Sequence, residues 1–341
     1  MKIVNWNIEW MNNWFSGNRD PQWGSGSLSA DEARICARRA ANIINALAPD
    51  LLCIQEGPSA SEEMALFLGD FLSGAGGAPA YEALIGIDGG AQKLYALRRL
   101  DGQIAAMERA TDALTEGLQD DWDADVDGDM MLEGYGYTRQ PLVVDIDPVG
   151  SQPVRVVILH TKSKFVRNGE RRWRDPSERQ GFVFDALKAR RRISAEGFRL
   201  RTYLDAVVAD DPTARIVVTG DWNDGPGRDL FERSYLTHNV ADIVLGSTFT
   251  PDLIFHHPLI ANVAPAALFT ARFDDFIDDV PDRPLLLDHF AVSPGLRSRV
   301  KDAGIAHDVF ETELEGEGRS RTERASDHRP IWLELEAPLR A

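Results

Sequence analysis

The hydrophobic and polar positions of this chain fall into short apolar runs that stop at polar clusters. The clearest is Ile216-Val217-Val218, which ends at Gly220 and hands over to Asp221 and Asn223. Similar runs cover residues 2–8, leading to Asn7 and Glu9; 50–56, ending in Gln55 and Glu56; and 154–159, followed by His160 and Lys162. Further strands are predicted over 81–87, 93–98, 140–146, 285–292 and 331–335. Cys36, Ala40, Ile43, Ile44 and Leu47 recur at helical spacing behind a Ser29/Glu32 capping box, and Pro49 ends that helix. Helices are also predicted over 59–72, from Pro176 to about Ala209, and from Asp229. Residues 165–175 read as a basic loop, and 88–91 as a hairpin connection.

The chain of 341 residues is 43% hydrophobic and 27% charged, with no repeat or low-complexity tract. It reads as a single domain over 1–341, with insertions at 101–137 and 239–284. Neither a signal peptide nor an apolar run of membrane length is present, so a soluble, cytoplasmic protein with no membrane partner is expected. No protein partner can be inferred. Cys36 and Cys53 have no metal-type spacing and read as core thiols.

Net charge refines this picture. At −17, the chain does not coat nucleic acid by phosphate neutralisation alone. Residues 155–201 nevertheless hold fourteen Lys/Arg against five Asp/Glu, a local +9 that leaves −26 for the remainder. That segment is the expected contact surface for an anionic substrate; a solvated helix face plus a loop is the plainer alternative. Asp123, Asp125, Asp127 and Gly128 match part of a calcium-binding loop, but Gly134 stands where its glutamate belongs. Residues 120–129 are therefore expected to form an exposed acidic loop.

The strand ends carry the candidate chemistry. Asp221 and Asn223 lie two apart and share a face in an extended chain, although a plain polar turn has the same look. Asp327-His328, just before the last strand, adds a fifth polar cluster. Hard oxygen donors such as Glu56 and Asp327 suit Mg²⁺ or Mn²⁺ rather than structural zinc. Carboxylates, amides and imidazoles together suit metal-assisted hydrolysis of a phosphate ester. Plainer readings stand beside this one: Asn7 as a strand-end cap, Glu9 as a surface residue, and Lys162 and Lys164 as solvated cations. His256-His257 reads as a loop pair, His238 and His307 as surface residues, and His289 as facing away from Asp288.

Trp-Asn7-Ile-Glu, Ile-Gln-Glu56, Leu-His160-Thr-Lys162-Ser-Lys164, Gly-Asp221-Trp-Asn223, Leu-Asp288-His and Ser-Asp327-His328-Arg-Pro occur in an order that resembles the endonuclease/exonuclease/phosphatase superfamily, of DNase I-like fold. The resemblance covers most of residues 1–60 and 139–336, and its His-x-Lys-Ser-Lys form is similar to that of bacterial nuclease-type members. It implies an α/β fold, a four-layered sandwich of two packed, mostly antiparallel mixed sheets flanked by helices. It also implies Glu56 as main Mg²⁺ ligand, with Asn7, Glu9 and Asp327 in the metal and phosphate shell. Asp221 would orient or deprotonate the attacking water, Asn223 would hold a phosphate oxygen, and His160 would contact the phosphate. His328 would complete the centre, with Asp288 fixing its tautomer. The implied activity is a Mg²⁺-dependent phosphodiesterase, a nuclease on DNA or RNA, with Lys162, Lys164 and Asn7 on the substrate. A small-molecule or lipid-headgroup phosphoesterase and a non-catalytic binding protein are the alternatives.

Overall fold

The computed structural model describes residues 1–17, 20–87, 90–126, 128–226, 230–235 and 239–336. The expectations that fall on residues 88–89, Asp127, Asp229 and His238 lie outside the described residues.

Eleven strands build two sheets. They are β1 (Lys2–Asn7), β2 (Leu51–Gly57), β3 (Tyr81–Ile85), β4 (Lys93–Arg99), β5 (Ile104–Arg109), β6 (Leu142–Pro148), β7 (Val154–His160), β8 (Ile216–Asp221), β9 (Asp288–Val292), β10 (Val300–Ile305) and β11 (Ile331–Leu335). The first sheet has the order β10-β11-β1-β2-β4-β3, and the second β9-β8-β7-β6-β5. Only the β1/β2 and β7/β8 pairs are parallel; the other sheet pairs are antiparallel.

The strand period of two assigns each face. Ile3, Leu51 and Cys53 meet Val154, Val156, Ile158, Val217 and Phe290 in an apolar layer between the sheets. The alternate residues of the first sheet, Val4, Trp6, Leu52 and Ile54, pack on α1 (Ala30–Leu47) and α2 (Ser61–Phe71). Those of the second, Val157, Leu159, Ile216 and Val218, pack on α3 (Arg179–Asp210) through Ile193, Leu200, Leu204 and Val208. The result is the four-layered sandwich that the resemblance implies. The Ser29/Glu32 capping box that starts α1 is present as read.

Several expectations need correction. The basic loop 165–175 contains a helical turn, Gly169–Arg174, seated on an aromatic cluster with Phe182, Phe231 and Trp173. The strand expected over 285–292 is two strands: Val280–Leu285 turns back on Ala271–Asp275 in a separate hairpin, and pairing with β8 begins only at Asp288. Within 101–137, β5 is an integral edge strand of the second sheet. Within the acidic stretch expected to be a loop, Trp122–Ala124 is instead a strand, paired with Glu133–Tyr135 in a small hairpin, while Asp125 and Gly128–Asp129 are exposed. His307 is half-buried rather than superficial, tilted against the Phe269 ring with its Nε2 2.7 Å from the Ala267 carbonyl. Among the described residues, no helix is long and apolar enough to cross a membrane.

Candidate active site at the shared sheet edge

Strand direction explains where the polar clusters meet. β1 and β2 run parallel, as do β7 and β8, so Asn7, Glu56, His160 and Asp221 are delivered to the same edge. β11 and β9 run antiparallel to β1 and β8, so the residues at their starts, His328 and Asp288, reach that edge too.

The contacts are short and largely buried. Asn7 Nδ2 donates to Asp221 Oδ2 at 2.9 Å and lies 3.5 Å from Glu56 Oε1. His160 Nε2 is 3.5 Å from Asp221 Oδ2 and 3.8 Å from Glu56 Oε1. Asn223 caps the strand end: its backbone N–H donates to Asp221 Oδ1 at 2.8 Å, and its Nδ2 to the Thr161 carbonyl at 3.2 Å. His328 Nδ1 lies 2.7 Å from Asp288 Oδ2, and Asp327 Oδ1 is 4.0 Å from His328 Nε2. Ser326 ties this loop to β1, donating to the Asn7 carbonyl at 2.7 Å and accepting from the Glu9 and His328 backbone N–H groups.

Backbone strain collects at the same edge. Trp10, Glu56 and Asn223 are non-glycine residues with φ of 50°, 58° and 51°. Left-handed backbone at such residues costs roughly 1–3 kcal/mol each and persists where surrounding contacts over-determine it. For Glu56 those contacts are visible. Its Oε2 accepts from the Trp10 N–H at 2.8 Å and from Gln92 Nε2 at 2.7 Å, next to a break in the β2/β4 register.

Burial sets the electrostatics. Desolvation pushes the Asp221 carboxyl up to about 7, with His328 opposing and Asp288 reinforcing the shift. Burial lowers His160 well below the ordinary imidazole value, and Arg139, His328 and Lys162 add to that. Burial also presses on His328, but Asp288 and Asp221 overcome it and hold its value well above the ordinary one. Two neighbouring imidazoles are thus driven apart, one neutral and one charged.

Three residues emerge that the motif reading missed. Gln92 bridges Glu56 and Arg139, accepting from Arg139 Nη2 at 2.7 Å. The Arg139 charge is felt by Glu56, Asp221 and His160. Glu196, buried in α3, accepts from the Thr138 N–H and hydroxyl and from the Lys162 N–H at 2.8–3.0 Å, fixing both approaches to the site. Gln92 and Arg139 lie just ahead of β4 and β6, which run antiparallel to β2 and β7. A search for polar residues before strands, as well as after them, would have found both.

Not every candidate joins the cluster. The Glu9 carboxylate is gripped by Arg324 with both oxygens at 3.1 Å, and Arg321 stands 3.6 Å away. Lys164 Nζ is 2.5 Å from Asp224 Oδ1. Lys162 is half-buried, and its Nζ donates to the Ser163 carbonyl at 3.1 Å. His257 and His289 form a separate buried pair at 2.9 Å, and His289 Nε2 reaches the Asp224 carbonyl at 2.7 Å, facing away from Asp288 as read. Much of the basic segment is consumed internally: Arg155 by Asp145 and Asp112, Arg171 by Glu178, Arg172 by Asp185, and Arg201 by Asp205.

The donor set fits a hard divalent cation. The carboxylates of Glu56 and Asp221 and the Asn7 amide, which lie together, supply oxygen without thiolate. Asn7 Oδ1 and Asp288 Oδ1 are buried with no hydrogen-bond partner, and the buried Asp221 carboxyl is pushed up to about 7. Asp221, Asp288 and His328 also offer three donor atoms within 4.8 Å of one another. There, however, His328 Nδ1 is already hydrogen-bonded to Asp288, and a charged ring repels a cation. The physical balance therefore favours the Glu56 side.

No protein-family model and no curated protein matches the sequence. Solved structures do match across the whole chain. A 3'-5' exonuclease (NExo) from Neisseria meningitidis is 15% identical, with TM-score 0.52, over 98% of this chain and 100% of that one. A mannosyl-6-phosphatase from Bacteroides thetaiotaomicron is 14% identical, with TM-score 0.51, over 98% and 99%. Truncated TDP2 from Caenorhabditis elegans is 14% identical, with TM-score 0.50, over 98% and 97%. At these identities the likeness establishes a shared fold.

Proposed function

We propose that this chain, which has the DNase I-like fold, is a divalent-metal-dependent phosphodiesterase whose preferred substrate is nucleic acid. The observation that carries the reading is the meeting of Asn7, Glu56, His160 and Asp221 with the Asp288–His328 pair at one sheet edge. Exonuclease and phosphatase among the structures of the same fold support it.

Glu56, with Asn7 and Asp327, would hold Mg²⁺ or Mn²⁺, which when bound neutralises phosphate oxygens and charge on the leaving oxygen. Asp221 orients the attacking water and takes its proton; a carboxyl held near neutrality by burial suits that task. Asn223, its backbone locked by its own N–H bond to Asp221, would turn its Nδ2 from the Thr161 carbonyl and Asp221 Oδ2 to a phosphate oxygen. His160, kept neutral, donates one hydrogen bond to the phosphate. His328, kept charged by Asp288, stabilises the negative charge that builds as water attacks in line. Arg139 and Lys162 add positive charge, and Lys164 stands at the approach on Asp224. Neither cysteine competes as a nucleophile, since Cys36 and Cys53 are buried in the core. Two unpaired cysteines also fit a reducing, cytoplasmic location.

The second reading is a phosphatase of a small phosphate ester. The likeness to a sugar phosphatase supports it, as does the charge of −17, which disfavours tight duplex binding. Hydrolysis of single- and double-stranded DNA, RNA, nucleotides, sugar phosphates and phospholipid headgroups with Mg²⁺ or Mn²⁺ decides between them. Asp221→Asn is the control. Polymer cleavage lost in that variant supports the nuclease; turnover confined to monoesters supports the second reading; activity retained in Asp221→Asn sinks the site assignment.

A further inference from the structure

The chain leaves the site through Lys162-Ser-Lys-Phe-Val-Arg167, directly after His160. Within this segment Val166 is anchored: it packs with Val183 and Leu187 against the cluster of Trp173, Phe182 and Phe231. The anchor leaves the preceding ring outside, and Phe165 is 74% exposed. Phe184, next to the anchoring Val183 on α3, is 66% exposed. Phe165 and Phe184 thus leave two aromatic rings open to solvent beside one anchored cluster.

The charges around Phe165 are selective. Most arginines of the segment are spent on carboxylates, but Arg167 is exposed and has no partner among the described residues. Lys162 forms no salt bridge among the described residues; burial and Arg139 lower its ammonium below the ordinary value, with the buried Glu196 opposing them. The exposed Arg167 thus lies two residues after an exposed aromatic ring, and the half-buried Lys162 three residues before it. Phe165 lies five residues past His160, within about 17 Å along an extended chain.

We propose that residues 162–167 form the substrate platform of the phosphodiesterase inferred above, and that it takes single-stranded nucleic acid, with a base next to the scissile phosphate stacked on Phe165. Lys162 and Arg167 contact flanking phosphates. A single strand suits this surface better than a duplex. Stacking supplies affinity from few charges, whereas a duplex brings a second row of phosphates toward a surface that is −26 outside residues 155–201. The inference rests on the phosphodiesterase reading but fails independently of it.

The test uses the full chain with Mg²⁺ on a single-stranded oligonucleotide, the same sequence as duplex, and methyl p-nitrophenyl phosphate, which has no base. The readout is the ratio of kcat/KM for the single strand to that for the small ester. Phe165→Ala is expected to lower this ratio about tenfold, chiefly through KM, and Phe165→Trp to restore it. Arg167→Ala is expected to reduce the slope of log KM against log salt by about 0.7. A ratio within twofold of wild type in Phe165→Ala, equal losses on both substrates, no rescue by Trp, or preference for the duplex each overturns the platform. If neither ester is hydrolysed, the phosphodiesterase reading falls. Anisotropy of a fluorescein-labelled single strand then decides the platform alone: weaker binding by Phe165→Ala upholds it and equal binding removes it.

Discussion

Asp288 and His328 belong to different sheets, yet Asp288 Oδ2 and His328 Nδ1 lie 2.7 Å apart. Asp288 opens β9 in the second sheet, and His328 stands three residues before β11 in the first, so one hydrogen bond closes the site across the sandwich. The carboxylate holds the ring through Nδ1, and in the proposed mechanism Nε2 is the atom offered to the substrate.

From this pair follows a prediction on pH. Burial alone would depress His328, and the Asp288 charge is the main influence opposing it. Replacing Asp288 with Asn removes the charge, so the imidazole should titrate at lower pH and lose its proton under neutral conditions. The alkaline limb of the pH–rate profile should move to lower pH, with activity at pH 8 reduced about 100-fold. Ring-proton NMR of His328 in both proteins reads the shift directly; an unmoved titration refutes the role given to Asp288.

Glu56 and Glu9 should separate in a metal titration. Glu56 sits with Asn7 and His160: two hydrogen bonds tie its Oε2, while its Oε1 faces Asn7 Nδ2 at 3.5 Å and His160 Nε2 at 3.8 Å. Glu9 is neutralised by Arg324 and Arg321. Glu56→Gln should therefore raise the Mg²⁺ concentration for half-maximal activity by about tenfold or more, while Glu9→Gln changes it by less than about threefold. Melting curves serve as the control, because losing the Arg324 pair lowers stability in Glu9→Gln. A larger metal effect at Glu9 than at Glu56 contradicts this geometry.

How legible this was in the sequence depended on strand direction. Asn7, Glu56, His160 and Asp221 were readable because each closes an apolar run, where a buried strand hands polar atoms to a sheet edge. Asp327-His328 was readable as a pair just before a strand. Gln92 and Arg139 were not, since lone polar residues ahead of strands are common and only antiparallel pairing brings them to the edge. Glu196 was hidden more deeply, as one acid among the charges of a long helix, and tertiary packing alone buries it. The break at Leu286-Leu287 was invisible because an unbroken apolar run carries no mark of where its partner changes. The local +9 misled in part, since charge counts do not show which arginines are already paired.

Stability without metal should fall as pH rises. The Asp221 carboxyl moves from 3.8 to about 7 on folding, chiefly by desolvation. Between those values the folded state binds more protons than the unfolded chain. The contribution of this group is therefore full below about pH 4 and lost as pH rises through about 7. His328, also raised, acts in the same sense. In EDTA, the melting temperature should decline across this window; Asp221→Asn should flatten the decline, and added Mg²⁺ should recover stability most at the alkaline end. A profile in EDTA that is equally steep in Asp221→Asn would show that other groups dominate.

Gly220→Ala should separate architecture from chemistry. Gly220 has φ of 147°, and a Cβ there would lie 2.1 Å from the Leu159 carbonyl oxygen on the neighbouring parallel strand. That oxygen belongs to rigid backbone and cannot swing aside, so β7 and β8 must part at the position before Asp221 and His160. The expected cost is about 3 kcal/mol or more, at the upper end for a single substitution. Any folded fraction should lose activity as well, because the 3.5 Å spacing of His160 and Asp221 depends on that close approach. Chemical denaturation and the residual rate of the folded fraction check both parts, and near-wild-type values in both would mean the strands can separate without disturbing the site.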